Sequence, residues 1–168
     1  MKKIIFQSAL LLIIVSISSA ALAQSTKAKY FSSEAKLSVT FPSKFETTED
    51  VKEAFKSVKT QVMVNGALYY VSYSVHKNDL SKNESLAKVS LDSFIETLNG
   101  KVTKEAIWKV RKKNGLQALF NVTEGELKGE YRVVIIGQIQ YQIAVVAPKE
   151  SWDEKVTKKF FKSFKVKK

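Results

Sequence analysis

The 168-residue sequence contains no cysteine, so disulfides, thiolate nucleophiles and thiolate metal ligands are all excluded. Cohesion must come from an apolar core. There is one histidine, His76, with Asp79 three residues on. A triad would use it as base, and a zinc site would need two or three further ligands of the Cys, His or carboxylate kind. His76 therefore reads as an ordinary residue at a strand end. The six glycines are all spoken for by turns: Gly66, Gly100 and Gly115 each follow an Asn, Gly137 sits between two apolar runs, and Gly125 and Gly129 bracket a loop. None remains to cradle a phosphate, and neither G-x-G-x-x-G nor the Walker pattern occurs. Repeats and low-complexity tracts are absent.

Acidic residues are also scarce, 16 against 28 basic ones. They gather at Glu46, Glu49, Asp50 and Glu53 and again at Glu124, Glu126 and Glu130, where they read as solvated loop carboxylates. Calcium at either cluster is the alternative, although EF-hand spacing is missing. No catalytic set, cofactor or metal site is assigned.

What is present begins with Met1-Lys2-Lys3, an apolar run from Ile4 to Val15, and Ala21-Leu22-Ala23 before Gln24. A positive start, a short apolar centre and an A-x-A site predict a signal peptide over residues 1–23. A spanning helix would need a longer run, and no such run occurs later in the chain. The expected product is exported, periplasmic or secreted, with no transmembrane segment after cleavage. No Cys stands after the site to take a lipid. Cleavage leaves residues 24–168 with a net charge of +10. Such a surplus favours acidic proteins or anionic envelope components, while nucleic acid is not expected as a partner outside the cytoplasm.

Residues 24–29 are small and polar and read as a flexible start; residues 30–168 read as one domain. The central stretch is Lys128–Ala147, two apolar runs flanking Gly137-Gln138, the pattern of a type II′ hairpin. Val134, Ile136, Ile139, Tyr141, Ile143 and Val145 then share one apolar face, and the other face is mixed. A second hairpin runs from Phe55 to His76 through Asn65-Gly66. Lys36–Phe41 alternates into a strand ending at Pro42, and Lys44–Glu53 reads as a loop or irregular edge. A strand over 106–110, a turn at Asn114-Gly115 and a strand over 116–122 complete the sheet. Ala87, Leu91, Phe94, Ile95 and Leu98 fall on one helical stripe, closed by Asn99-Gly100. A second helix is expected from a capping box at Ser151 and Glu154, with Trp152, Val156 and Phe160 as its apolar edge. Phe164–Val166 predicts a short last strand. The class is α+β, an antiparallel sheet of about six strands flanked by helices.

Two candidate sites emerge. Lys155, Lys158, Lys159, Lys162, Lys165, Lys167 and Lys168 end the chain with no acid among them, a candidate electrostatic docking patch. Tyr69, Tyr70, Tyr73, Trp108 and Tyr141 are the candidates to line an apolar pocket between sheet and helix.

Four pieces, Val39-Thr40-Phe41-Pro42, Asn114-Gly115 before an apolar strand, Arg132 through Gly137 to Tyr141, and Phe160-Phe161-Lys162-Ser163-Phe164, together resemble the PsbP-like family. That family includes a photosystem II extrinsic subunit and many secreted bacterial proteins. The resemblance implies an α/β/α sandwich with an antiparallel sheet, no catalysis, and a role in docking onto or assembling a larger complex. No ion-site residue of the family is carried over. The expectation is an exported, non-enzymatic interaction or assembly protein of the cell envelope; the alternative is a carrier of a small apolar ligand.

Overall fold

A computed structural model describes residues 26–83, 85–123 and 126–167. The predicted signal peptide, Gln24, Ser25, Glu84, Glu124, Gly125 and Lys168 lie outside the described residues. The elements in chain order are β1 (Ala28–Ser32), β2 (Leu37–Phe41), β3 (Glu46–Val51), β4 (Phe55–Val64), β5 (Ala67–His76), α1 (Leu86–Thr97) and β6 (Gly100–Val110). After these come β7 (Lys113–Val122), β8 (Leu127–Ile136), β9 (Ile139–Pro148), α2 (Glu154–Ser163) and β10 (Lys165–Val166).

β3 to β9 form one antiparallel seven-stranded sheet in the order β3-β4-β5-β9-β8-β7-β6. Its middle is the expected hairpin: Ile136 pairs with Ile139 and Val134 with Tyr141. Gly137 has φ +62°, as the first central residue of a II′ turn requires. Asn65 and Gly66 both take positive φ, the I′ pattern, and set Val64 opposite Ala67. The third hairpin turns elsewhere than expected. Val110 pairs with Lys113, so Arg111-Lys112 forms the turn, and Asn114 and Gly115 lie inside β7. Gly115 is there for close approach, since a Cβ at that position would lie 2.2 Å from the Val133 carbonyl oxygen and 2.8 Å from the Val134 Cβ.

Three further readings are corrected. Glu46–Val51 is a regular edge strand, paired with β4 from Glu46–Gln61 to Val51–Lys56, and every one of its side chains is exposed. β2 buries Leu37, Val39 and Phe41 completely but does not enter the main sheet. It is the centre of a second, three-stranded sheet, β1-β2-β10, and β1 starts at Ala28, inside the stretch read as flexible. The cap of α2 is Asp153, whose carboxylate accepts from the amides of Lys155 and Val156, while Ser151 lies in a preceding 3-10 turn. Moving the start moves the stripe: Thr157, Phe160 and Phe161 are buried, and Val156 is exposed.

The two faces of the large sheet carry separate cores. On one, α1 sets Leu91, Ile95 and Phe94 against Phe120, Tyr131 and Val133. The face expected to be mixed is thus a second core, and its Gln140 is satisfied by donating to Ser90 Oγ at 2.6 Å. On the other face, α2 and the small sheet cover Tyr69, Val71, Tyr141, Ile143 and Val145. The result is a sandwich whose α2 side is covered over β4, β5 and β9 and has a polar margin on β6 to β8.

Candidate docking groove

That margin is built by alternation. Lys128, Glu130 and Arg132 occupy every second position of β8 and therefore share one face. Register extends them into rows across the sheet: Lys101–Asn121–Lys128, Lys104–Leu119–Glu130 and Ala106–Gln117–Arg132. α2 rises beside these rows as a wall. Lys158 on the wall and Lys104, Gln117, Glu130 and Arg132 on the floor line one cleft of about 200 Å³.

Arg132 is the fixed point of the cleft. Its Nε and Nη2 both donate to Glu130 Oε1, at 2.8 and 2.6 Å. The guanidinium lies 4.1 Å from the centroid of the Phe161 ring and 5.7 Å from that of Trp108. With side-chain exposures of 18% and 12%, Arg132 and Glu130 are recessed but reachable from solvent. Contact with two rings and paired donors fix a guanidinium in a way a lysine ammonium is not fixed. At one end of the groove Lys128 Nζ lies 5.1 Å over Trp152, ahead of α2.

Apart from Lys158, which lines the cleft, the expected lysine patch lies outside it. Lys155, Lys158, Lys159, Lys162, Lys165 and Lys167 are all exposed, and Lys168 is outside the described residues. Among the described residues only Lys158 of these is ion-paired, to Glu154 at 3.2 Å. Lys167 Nζ sits 5.4 Å over the Phe31 ring. Arg111 Nη1 donates to the Lys167 carbonyl at 3.3 Å, which joins the basic turn Arg111-Lys112-Lys113 to the tail. One basic surface therefore runs from the β6–β7 turn past α2 into the groove. Sequence reasoning missed Lys101, Lys104, Lys128, Gln117 and Arg132. It also took Glu130 for a solvated loop residue, whereas it sits in β8 bound to Arg132. The signal was the Lys128-Gly129-Glu130-Tyr131-Arg132 alternation, legible only once the strand's faces are assigned.

The five rings taken as a possible pocket are not brought together. Tyr69, Tyr73, Trp108 and Tyr141 lie on the α2 side, and Tyr70 lies on the α1 side. Phenylalanines of α2 and its C-terminal cap pack against three of the four: Phe160 meets Tyr69 edge-on at 5.1 Å, and Phe164 lies 5.5 Å from Trp108 and 6.2 Å from Tyr141. Tyr73 accepts from Ser32 Oγ and donates to Glu34, each at 3.0 Å; burial raises its pKa. Tyr141 donates to the Ala35 carbonyl at 2.8 Å, and burial pushes its pKa up to about 12. These hydroxyls are donors spent on structure.

His76 and Asp79 do not meet as base and acid. Asp79 accepts from the Ser81 amide at 2.7 Å, while the His76 ring lies 5.2 Å from Phe55 and burial lowers its pKa. Glu49 pairs with Lys56 at 3.1 Å and Asp50 with Lys52 at 3.5 Å. Among the described residues no three His or carboxylate groups gather as metal ligands, and no helix is long and apolar enough to cross a membrane.

The overall fold recurs in a solved protein. The solution structure of cyanobacterial PsbP from Synechocystis sp. PCC 6803 matches 92% of this chain and 99% of its own length, with a TM-score of 0.62 at 12% identity. The fold is PsbP-like. A crystal structure from Bacteroides thetaiotaomicron VPI-5482 is similar over 83% of this chain and 48% of that one, with a TM-score of 0.49 and 14% identity. No family model and no curated protein matches the sequence. In the PsbP-like frame of this chain, the groove lies where α2 crosses from the covered half of the sheet to its open margin.

Proposed function

We propose that the chain is an exported, non-enzymatic docking or assembly protein of the bacterial cell envelope that binds an acidic protein or an anionic envelope component. One observation carries this reading: the exposed lysines of α2, of the C-terminal tail and of β6, with the half-buried Lys128 and the recessed Arg132 of β8, form a single basic surface. The PsbP-like fold supports it, as does the use of the Tyr73 and Tyr141 hydroxyls in core hydrogen bonds. Charge of this kind steers encounter and is screened by salt. The carrier reading draws less support, since Phe160 and Phe164 pack directly against Tyr69 and Trp108.

Replacing Lys158, Lys159, Lys162, Lys165, Lys167 and Lys168 by Gln tests the reading. Binding to phosphatidylglycerol vesicles or to an acidic peptide is expected to weaken, and its dependence on salt to flatten. Unchanged binding would discard the docking surface.

A further inference from the structure

The outer lysines and the groove differ in what they are able to touch. Lys155, Lys159 and Lys162 are exposed on α2, outside the cleft lining and open to any anionic surface. Arg132 is not; its side chain is 18% exposed at the foot of the wall. A flat array of headgroups meets the former and cannot reach the latter. A ligand that uses Arg132 must project a group into the cleft.

We infer that the groove between α2 and β6 to β8 receives an extended acidic polypeptide, one of whose carboxylates enters the cleft and is held by Arg132, Lys104 and Lys158. This rests on the docking reading above and specifies the partner's chemistry. Size favours a side chain. Small-molecule sites run to roughly 300–1,000 Å³, and the cleft has about 200 Å³. Charge favours an acid: among the described residues lining the cleft Glu130 is the one carboxylate, and its Oε1 is taken up by Arg132. That pair presents the guanidinium rigidly, with Nη1 left to receive an incoming carboxylate. Gln117 adds an amide donor in the same row. Spacing suits an extended chain: along β7 and β8 the rows are two residues, about 6.5–7 Å, apart, the distance between alternate side chains of a strand, while a bulge between Val102 and Lys104 keeps β6 in step.

A charge-neutral variant separates groove from surface. E130Q/R132Q removes one acid and one base, so net charge and long-range steering stay as they are. The probes are an N-acetylated, fluorescently labelled octaglutamate peptide and phosphatidylglycerol vesicles; the reference variant is K159Q, on the outside of α2. Melting temperature and circular dichroism verify that each variant is folded, and R132K serves as a milder groove change should the double variant fail to fold. The expected result is a tenfold or greater loss of peptide affinity in E130Q/R132Q, a smaller but definite loss in R132K, and vesicle binding like that of the parent in both. K159Q is expected to weaken both probes slightly. Peptide binding that falls no further in the groove variants than in K159Q overturns the inference, as does a parallel loss of vesicle binding. Vesicle binding without any peptide binding by the parent overturns the inference and leaves the docking reading standing. Failure of both probes removes both.

Discussion

Two tyrosine hydroxyls in this molecule have opposite worth. Tyr141 donates to the Ala35 carbonyl inside the core, so Tyr141→Phe leaves a buried acceptor unpaired and is expected to cost about 1–3 kcal/mol. Tyr131 is fully buried under Phe94, and its hydroxyl has no partner among the described residues. Tyr131→Phe is therefore expected to be neutral or to stabilise by up to about 1 kcal/mol. Paired thermal melts check this, with shifts of about 2–4 °C per kcal/mol for a chain of this size. His76 supplies a pH signature. Burial lowers its pKa below the ordinary 6.5, so as pH falls below 6.5 the unfolded chain binds a proton there before the folded one does. Its contribution is complete above that pH and is lost as pH falls through the folded-state value. Denaturant titrations at about pH 7.5 and 5 are expected to show a smaller loss of stability for His76→Gln than for the parent.

At the scale of elements, apolar alternation and turn chemistry agree, which is why the hairpins around Gly137 and Asn65-Gly66 were legible to the residue. The helical stripe of α1 was equally clear, because Leu91, Ile95 and Phe94 have no other use than packing. Illegible elements are those whose pairing owes little to apolar burial. β3 consists of Glu, Thr, Asp and one exposed Val, and it is a strand because β4 offers it a free edge. The turn at Arg111-Lys112 was hidden because Asn114-Gly115 imitates one, while Gly115 answers to Val133 and Val134 across the ladder. Gly115→Ala is expected to destabilise by about 1–3 kcal/mol or more through overpacking, whereas Asn114→Ala, exposed in the same strand, is expected to lie within about 0.5 kcal/mol of the parent. Chemical denaturation distinguishes the two. If the turn were at Asn114-Gly115, both substitutions would be costly.

The whole molecule brings together what the chain keeps apart. Lys104, Arg132 and Lys158 come from three elements, and only the register of β6, β7 and β8 with α2 laid beside them makes a groove. Composition announced a basic protein and the tail announced a basic helix; neither contained the recess. Most apolar residues go into two cores, one under each helix; Phe31, Met63, Val89 and Ile107 stay exposed as single side chains, and the open margin offers a partner mainly charge. The most direct test is a titration of the isotopically labelled protein with an acidic octapeptide, monitored through amide chemical shifts at low and high salt. The account predicts salt-sensitive shifts confined to α2, β10 and the Lys128–Arg132 and Lys101–Ala106 stretches. Shifts centred on α1 or on the β3 edge, or none at all, would contradict it.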